Sequence, residues 1–411
     1  NINDCRAGKK GGGGILLDGE AEGHLFGGVL KNNTAEFNGG HILSAASSLI
    51  VHSENSILTW PRQRPVFLFP YKIMSSVATK MLGGTTSDSG GSISCVASKS
   101  DRVLSFYNSE NDGAACASNL YPYTFNTAGN TYESFACASK GIYLGKGTKI
   151  QDSTATKDGG AVSANLCSIE MFTTVIKNAS SLNGDGGAIM VSVESTLHVN
   201  RSTFQLNQAF KGSGGAISCQ DCDIMSFSDE TLFDRNVAHK SGGALDLLSA
   251  KNAIISTGST YESNQAFTVN GGAVNMKGEV NWKSVGDTFS RNNAMTGSGG
   301  AMSVFGSYIH LDASTQCRQN RALGGGGGCI LWEPNAIDTN DERWKVHTPL
   351  IDSAQLILEN EALYGSNLAT PGTSLQISNL TAMTTGQDNI LTPQFPKVEL
   401  LDRYGEVVQG D

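Results

Sequence analysis

A recurring pair of glycines constrains this chain more than any other feature. Gly-Gly followed by Ala and an aliphatic residue occurs at Gly159-Gly160-Ala161-Val162, Gly186-Gly187-Ala188-Ile189 and Gly214-Gly215-Ala216-Ile217. It returns at Gly242-Gly243-Ala244-Leu245, Gly271-Gly272-Ala273-Val274 and Gly299-Gly300-Ala301-Met302, then as the variant Gly327-Gly328-Cys329-Ile330. The second glycines are 27, 28, 28, 29, 28 and 28 residues apart. Before each of the last six pairs lies an aromatic or aliphatic residue (once Cys), two spacers and Asn. These are Val175/Asn178, Phe204/Asn207, Phe233/Asn236, Tyr261/Asn264, Phe289/Asn292 and Cys317/Asn320. Weaker copies are Leu30/Asn33 before Gly39-Gly40, Ile150/Ser153 before Gly159-Gly160, and Cys5-Arg6-Ala7 before Gly11–Gly14. Ile357/Asn360 precedes Tyr364-Gly365-Ser366-Asn367, where the glycine pair is lost, as expected of a terminal coil.

A unit of 28 residues cannot bury a core alone and must stack on its neighbours. Between the motifs, stretches such as Leu197-His198-Val199 and Ile309-His310-Leu311 alternate with period two, the signature of strands. Three short strands and three turns per unit predict one coil of a right-handed parallel β-helix, the hand following from the crossover preference. About 12 coils at roughly 4.8 Å each give a rod of roughly 60 Å. Gly-Gly supplies positive φ and close backbone approach at a corner. The predicted interior carries one aromatic column of Phe204, Phe233, Tyr261 and Phe289. The predicted corner carries a ladder of amides from Asn33, Asn178, Asn207, Asn236, Asn264, Asn292, Asn320 and Asn360, each bonding to the coils above and below.

Composition excludes the rival architectures. Charged residues are 16% of the chain, and 49 of 411 residues are Gly without a Gly-X-Y period. Collagen, a coiled coil and a disordered chain are thereby excluded. The net charge is -9 and no basic run exceeds Lys9-Lys10. Nucleic acid and anionic lipid, which need clustered Lys and Arg, are not expected partners. The most apolar stretch, Val66 to Val77, is broken by Pro70 and Lys72, so no direct membrane insertion is expected.

The expected organisation is a β-helix over residues 1–370 with insertions at about 54–79, 98–149 and 333–349, and a possible coil near Gly90-Gly91 between the first two. Residues 371–411 read as a linker and the first strands of a truncated β-sandwich-like domain, from the strand and turn at Val398–Val408. A start at Asn1 and an end inside a hairpin fit a segment whose partners are other domains of a longer chain.

The paired motifs, Gly-Gly-Ala-aliphatic and Phe-x-x-Asn, resemble the repeat of chlamydial polymorphic outer-membrane proteins, surface adhesins with right-handed β-helical passengers. The resemblance covers Val162 to Asn360 well and the first 160 residues patchily. The chain departs from that family in lacking a membrane barrel. Its ending, Ala362–Thr370 and then Leu400-Leu401-Asp402-Arg403-Tyr404-Gly405, looks more like very large extracellular proteins of algae and other microbial eukaryotes. In those, similar segments alternate with immunoglobulin-like domains. The resemblance implies a secreted structural or adhesive role and identifies no ligand.

Nine cysteines are present. Cys317 in the column position and Cys329 in the Ala position read as buried free thiols. Cys219 and Cys222 could close a short-loop disulfide, and Cys116 could bridge Cys137 within an insertion. Of four glycosylation sequons, Asn32, Asn200 and Asn379 are the expected sites, while Asn178 should be shielded in the ladder. Trp332 and Trp344, flanking an insertion, are candidate sugar contacts, whereas Trp282 alternates as a core residue does. No cofactor or metal site is expected, because the histidines lack ligand spacing. Gly145–Thr148 departs from the phosphate-binding loop and reads as a turn. Pectin-lyase-like β-helices make an enzyme the sharpest rival, with Arg62 and Arg64 as first suspects, but Asp158, Asp185 and Asp234 stand singly. The favoured function is a non-enzymatic structural module of a large cell-surface or fibre-forming glycoprotein, able to self-assemble. An adhesin that uses its insertions to bind surface glycans is the alternative, and a polysaccharide lyase or hydrolase the second.

Overall fold

The computed structural model describes residues 1–8, 12–18, 21–25, 28–45, 48–51, 79–96, 121–127, 130–136, 141–250, 252–334, 348–353, 357–378 and 397–408. Among them there is no helix, and parallel strands stack into a β-solenoid. Each coil contributes four strands, not three. The first face runs through eleven strands from Ile2–Asn3 to Ile357–Leu358, and the second through eleven from Arg6–Ala7 to Glu361–Tyr364. The third has eleven from Ile15–Asp18 to Leu368–Ala369, and the fourth ten from Glu22–Leu25 to Leu350–Ile351. The second face escapes a sequence reading because most of its strands have two residues, such as Gln208–Ala209, too short to show alternation.

The coil at Gly90-Gly91 is real: Thr79–Leu82, Thr85–Thr86 and Ile93–Val96 occupy the first three faces, and Gly141–Leu144 completes the fourth. The second insertion is therefore shorter than expected. Gly141–Leu144 and Lys149–Gln151 are both solenoid strands, joined by the tight turn in which Thr148 N and Oγ1 donate to the Gly145 carbonyl. Within that insertion, Tyr121–Thr127 pairs antiparallel with Asn130–Ala136. The second and third insertions both leave the solenoid between third-face and fourth-face strands.

Two glycines are needed at the second-to-third-face corner for different reasons. Gly214 has φ +66°, where a side chain is strained. A Cβ on Gly215 would collide with the carbonyl oxygen of Gly243 one coil on. The corner between first and second faces also uses left-handed backbone, with glycine at Gly83 but with other residues in most coils. Leu206, Arg235, Ser263, Arg291 and Gln319 sit there at φ between 52° and 58°. That conformation costs a non-glycine residue about 1 kcal/mol. Leu206 is exposed and contributes no core packing. Leu206→Asn is expected to raise stability by roughly 0.5–1 kcal/mol, since Asn tolerates this region; an unchanged or lower urea midpoint would contradict the reading.

The interior is one continuous apolar stack. Phe204, Phe233, Tyr261 and Phe289 lie centroid to centroid at 4.9, 4.9 and 4.6 Å, within 7° of parallel, as the sequence predicted. Phe227, from the fourth face, packs edge-on to Phe233 at 5.4 Å. At the far end Ser374–Ser378 pairs antiparallel with Lys397–Leu401, and Leu401 bridges to Val407. The turn after that strand seats on the last coils. The buried Asp402 carboxylate accepts hydrogen bonds from the backbone N–H groups of Thr370, Tyr404 and Glu406, while Val408 packs beside Leu331, Tyr364 and Ala369.

Candidate functional surface

The amide ladder forms one corner of the rod. Asn207, Asn236, Asn264, Asn292, Asn320 and Asn360 are stacked, with Nδ2 to Oδ1 distances of 2.9–3.0 Å between successive members. Each Nδ2 also donates to the carbonyl of a column residue one coil back, as Asn264 does to Phe233 at 2.9 Å. Each Oδ1 also accepts a backbone N–H from the previous coil, as Asn264 does from Asn236 at 3.0 Å. Every donor and acceptor of the interior amides is thus used. Asn367 ends the run by accepting from Asn360 Nδ2 at 3.0 Å.

Asn178 is not in this ladder. Register pairs Ile176 with Phe204, and Ala179 N donates to Asn207 Oδ1, so Ile176 holds the column position and Ala179 the ladder position. Asn178 lies one residue earlier, exposed at φ 51°, with its Nδ2 on Asp152 Oδ1. Val175 and Ile176 are both aliphatic, so the alternation alone allowed either phase. Asn33 stands apart from the main run. Its Nδ2 meets Nδ1 of His41 at 2.9 Å and the Ile2 carbonyl at 3.1 Å. His41 replaces the usual Ala after Gly39-Gly40, and burial pushes it down to about 4. This departure from the repeat is visible in the sequence.

The sequons rank differently once folded. Asn32 is exposed, with Nδ2 on Asp4 Oδ1. Asn178 is exposed as well, against expectation. Asn200 is partly buried and its Nδ2 donates to Ser228 Oγ at 3.1 Å and Asp229 Oδ2 at 2.7 Å. Its sequon hydroxyl, Ser202, is buried and donates to the Asn200 carbonyl. A glycan on Asn200 would have to break this network. Asn379 lies outside the described residues, as do Cys116, Cys137, Trp344, Arg62 and Arg64.

Cysteines and tryptophans bring two corrections. Cys219 bonds to Cys222 as anticipated, but Cys317 bonds to Cys329 rather than remaining free, and Cys95 bonds to Cys167. The chain passes from the first face through Arg321–Gly326 on the second and the glycine corner, which brings the column position of Cys317 and the post-glycine position of Cys329 to a Cα separation of 6.1 Å. Cys5 is a free thiol. Trp332 is buried, not a sugar contact, and its Nε1 donates to Tyr404 Oη at 2.9 Å. The third-face strand turns the indole inward at the step where the C-terminal turn packs. Trp282 is fully buried as expected.

The isolated acids have structural work. Asp158 Oδ1 accepts from Asp185 N at 2.8 Å, and Asp185 Oδ1 from Ser213 N at 2.7 Å, so the residue before each glycine pair forms a second ladder. Asp234 accepts from Gln205 and Arg235. A third ladder lines the fourth-to-first-face corner. Thr174, Ser202, Thr231, Ser259, Asp287 and Thr315 are buried two residues before each column residue. Thr174 N donates to Ser202 Oγ, and Ser259 N to Asp287 Oδ1. A small polar residue at that fixed offset was the overlooked signal.

The densest titratable row faces outward on the fourth face, where Tyr143, Glu170, His198 and Ser226 follow one another in register. His198 Nδ1 lies 2.8 Å from Ser226 Oγ. Burial lowers His198 and pushes Glu170 up to about 7. A hydroxyl on an imidazole is the first half of a nucleophile–base pair, whose second half is a group orienting the base. Among the described residues no hydrogen bond joins Glu170 to His198. On the third face the buried Asp246 carboxylate accepts from Asn275 Nδ2 at 2.7 Å. Burial pushes it up to about 7, opposed by the Asn275 hydrogen bond and more weakly by Lys240 and Lys277, and helped by Asp185. No group of three or more His, Cys, Asp or Glu able to hold a metal occurs among the described residues. No protein-family model, curated protein or solved structure matches the chain.

Proposed function

We propose that this chain is a non-enzymatic structural module of a large extracellular or cell-surface protein. The observation that carries the reading is the set of three disulfides, Cys95–Cys167, Cys219–Cys222 and Cys317–Cys329, all with their cysteines buried within the solenoid. Such bonds form and persist in oxidising compartments and are rare in the cytosol. The ladders support the same reading. Three repeated corners spend their polar side chains on holding coil to coil, which makes a stiff rod.

The test is a thiol map of the protein taken from its native source. Alkylation under denaturing, non-reducing conditions followed by peptide mass spectrometry should label Cys5 alone among the seven described cysteines. Labelling of the other six would place the chain in a reducing compartment and remove the extracellular reading. Electron microscopy of the parent protein then addresses the structural role: rods repeating along a filament or wall are expected, and isolated rods with polysaccharide-cleaving activity would sink it.

A further inference from the structure

We propose that the edge between the second and third faces binds an extended, uncharged glycan chain. The tripeptide Gln-Ala-Phe occurs twice there, at Gln208-Ala209-Phe210 and Gln265-Ala266-Phe267. Register places these copies two coils apart on the same rows, separated by Val237-Ala238-His239. In each copy the Ala is buried and the flanking residues face outward. Phe210 is 47% exposed and Phe267 39%, and Leu182 and Leu323 continue their row at 39% and 40%.

The amides make the edge more than an apolar stripe. Neither Gln208 nor Gln265 has a side-chain hydrogen bond among the described residues. Other outward amides nearby are engaged at least in part: Gln205 holds Asp234, Gln220 holds Asp185, and Asn293, next in the row after Gln265, sets its Nδ2 on Met295 Sδ. Each subsite therefore offers an open aromatic ring and a free amide side by side. A ring stacks on the apolar C–H face of a pyranose, and an amide serves both as donor and as acceptor to its hydroxyls. Two coils span roughly 9.6 Å, close to one disaccharide of a β-1,4-linked chain. An extended glycan could thus set equivalent sugars on both subsites, and the two weak contacts would act together.

The occupant is a glycan rather than a second copy of this chain. A stable protein interface buries roughly 800 Å² per partner around an apolar centre. Here a row of half-exposed side chains is interrupted by His239 and bordered by unpaired amides. The chain also carries a net charge of -9, which opposes its own association. The inference goes beyond the structural role proposed above and stands independently of it.

Isothermal titration of the full chain with cellohexaose tests it, with maltohexaose, which coils, as the comparison. Cellohexaose is expected to bind and maltohexaose to bind at least tenfold more weakly. Phe210→Ala and Phe267→Ala should each weaken cellohexaose binding roughly tenfold, as should loss of one amide in Gln265→Ala to a smaller degree. All three positions are solvent-facing, and unchanged circular dichroism will show that the fold is kept. No binding at millimolar cellohexaose, or equal binding by the Phe210→Ala/Phe267→Ala double variant, overturns the proposal. So does a dimer in sedimentation that the double variant abolishes, since a second copy would then own the edge. None of these results alters the thiol map.

Discussion

Asn264→Ala is expected to destabilise the solenoid by roughly 3–5 kcal/mol. The substitution removes four hydrogen bonds at once: Nδ2 to Asn292 Oδ1 and to the Phe233 carbonyl, and Oδ1 from Asn236 Nδ2 and Asn236 N. Two donors on Asn236 are left buried without an acceptor, at about 1–3 kcal/mol each. Bulk solvent does not reach the site, because Asn236, Asn264 and Asn292 are all fully buried. Asn264→Asp is a sharper version. It keeps the shape, loses both donors, and sets a carboxylate against the Asn292 oxygen. Asn178→Ala should cost less, about 1–2 kcal/mol, since an exposed side chain loses one hydrogen bond and Ala tolerates φ 51° less well than Asn. Urea unfolding followed by circular dichroism gives the comparison. Equal losses from Asn264→Ala and Asn178→Ala would mean that the ladder does not hold the coils together, or that its register is wrong.

The second large effect is a stability that falls as pH rises from 5.5 to 8. Burial pushes Asp246 up to about 7 and Asp287 up to about 6. Both carboxyls would titrate near 3.9 in an unfolded chain. The folded state therefore binds more protons between about pH 4 and 7. Its extra stability is complete below the unfolded value and is lost as pH rises through the folded one. A displacement of about three units at Asp246 corresponds to about 4 kcal/mol at most. His41 works the other way. Held near 4 when folded and near 6.5 when unfolded, it costs stability as pH falls through that interval. Between pH 8 and 6.5 the carboxylates act almost alone. The thermal midpoint is expected to be higher at pH 6 than at pH 8, and Asp246→Asn to raise it at pH 8 and flatten its slope. A parent protein that is more stable at pH 8, with Asp246→Asn destabilising throughout, would show that the Lys240 and Lys277 charges hold Asp246 ionised.

Periodic features carried the fold. The aromatic column and the run from Asn207 to Asn360 were legible because each needs one residue type at one place in every coil. The loss at Asn178 shows the limit. Where Val175 and Ile176 are equally apolar, a one-residue slip moves every side chain to the other face, and only the hydrogen bond from Ala179 N to Asn207 Oδ1 fixes the phase. Trp332 failed for a related reason. Its position beside an insertion suggested a surface, but its face is set by the alternation of the strand, and its partner Tyr404 is 72 residues away in sequence.

The sequence alone therefore determined the stacked 28-residue coil, the glycine corner, the aromatic column and most of the amide ladder. Each arises from contacts between a residue and its own equivalent one coil away, so the repeat contains the information. The tertiary structure alone decided the second face, the Cys317–Cys329 bond, the inward indole of Trp332, and the pairing of two Gln-Ala-Phe edges two coils apart. Those depend on which unlike positions the folded chain brings together, and on which surface the turns leave uncovered. No periodicity records that, because it is set by packing between residues that do not share a place in the repeat.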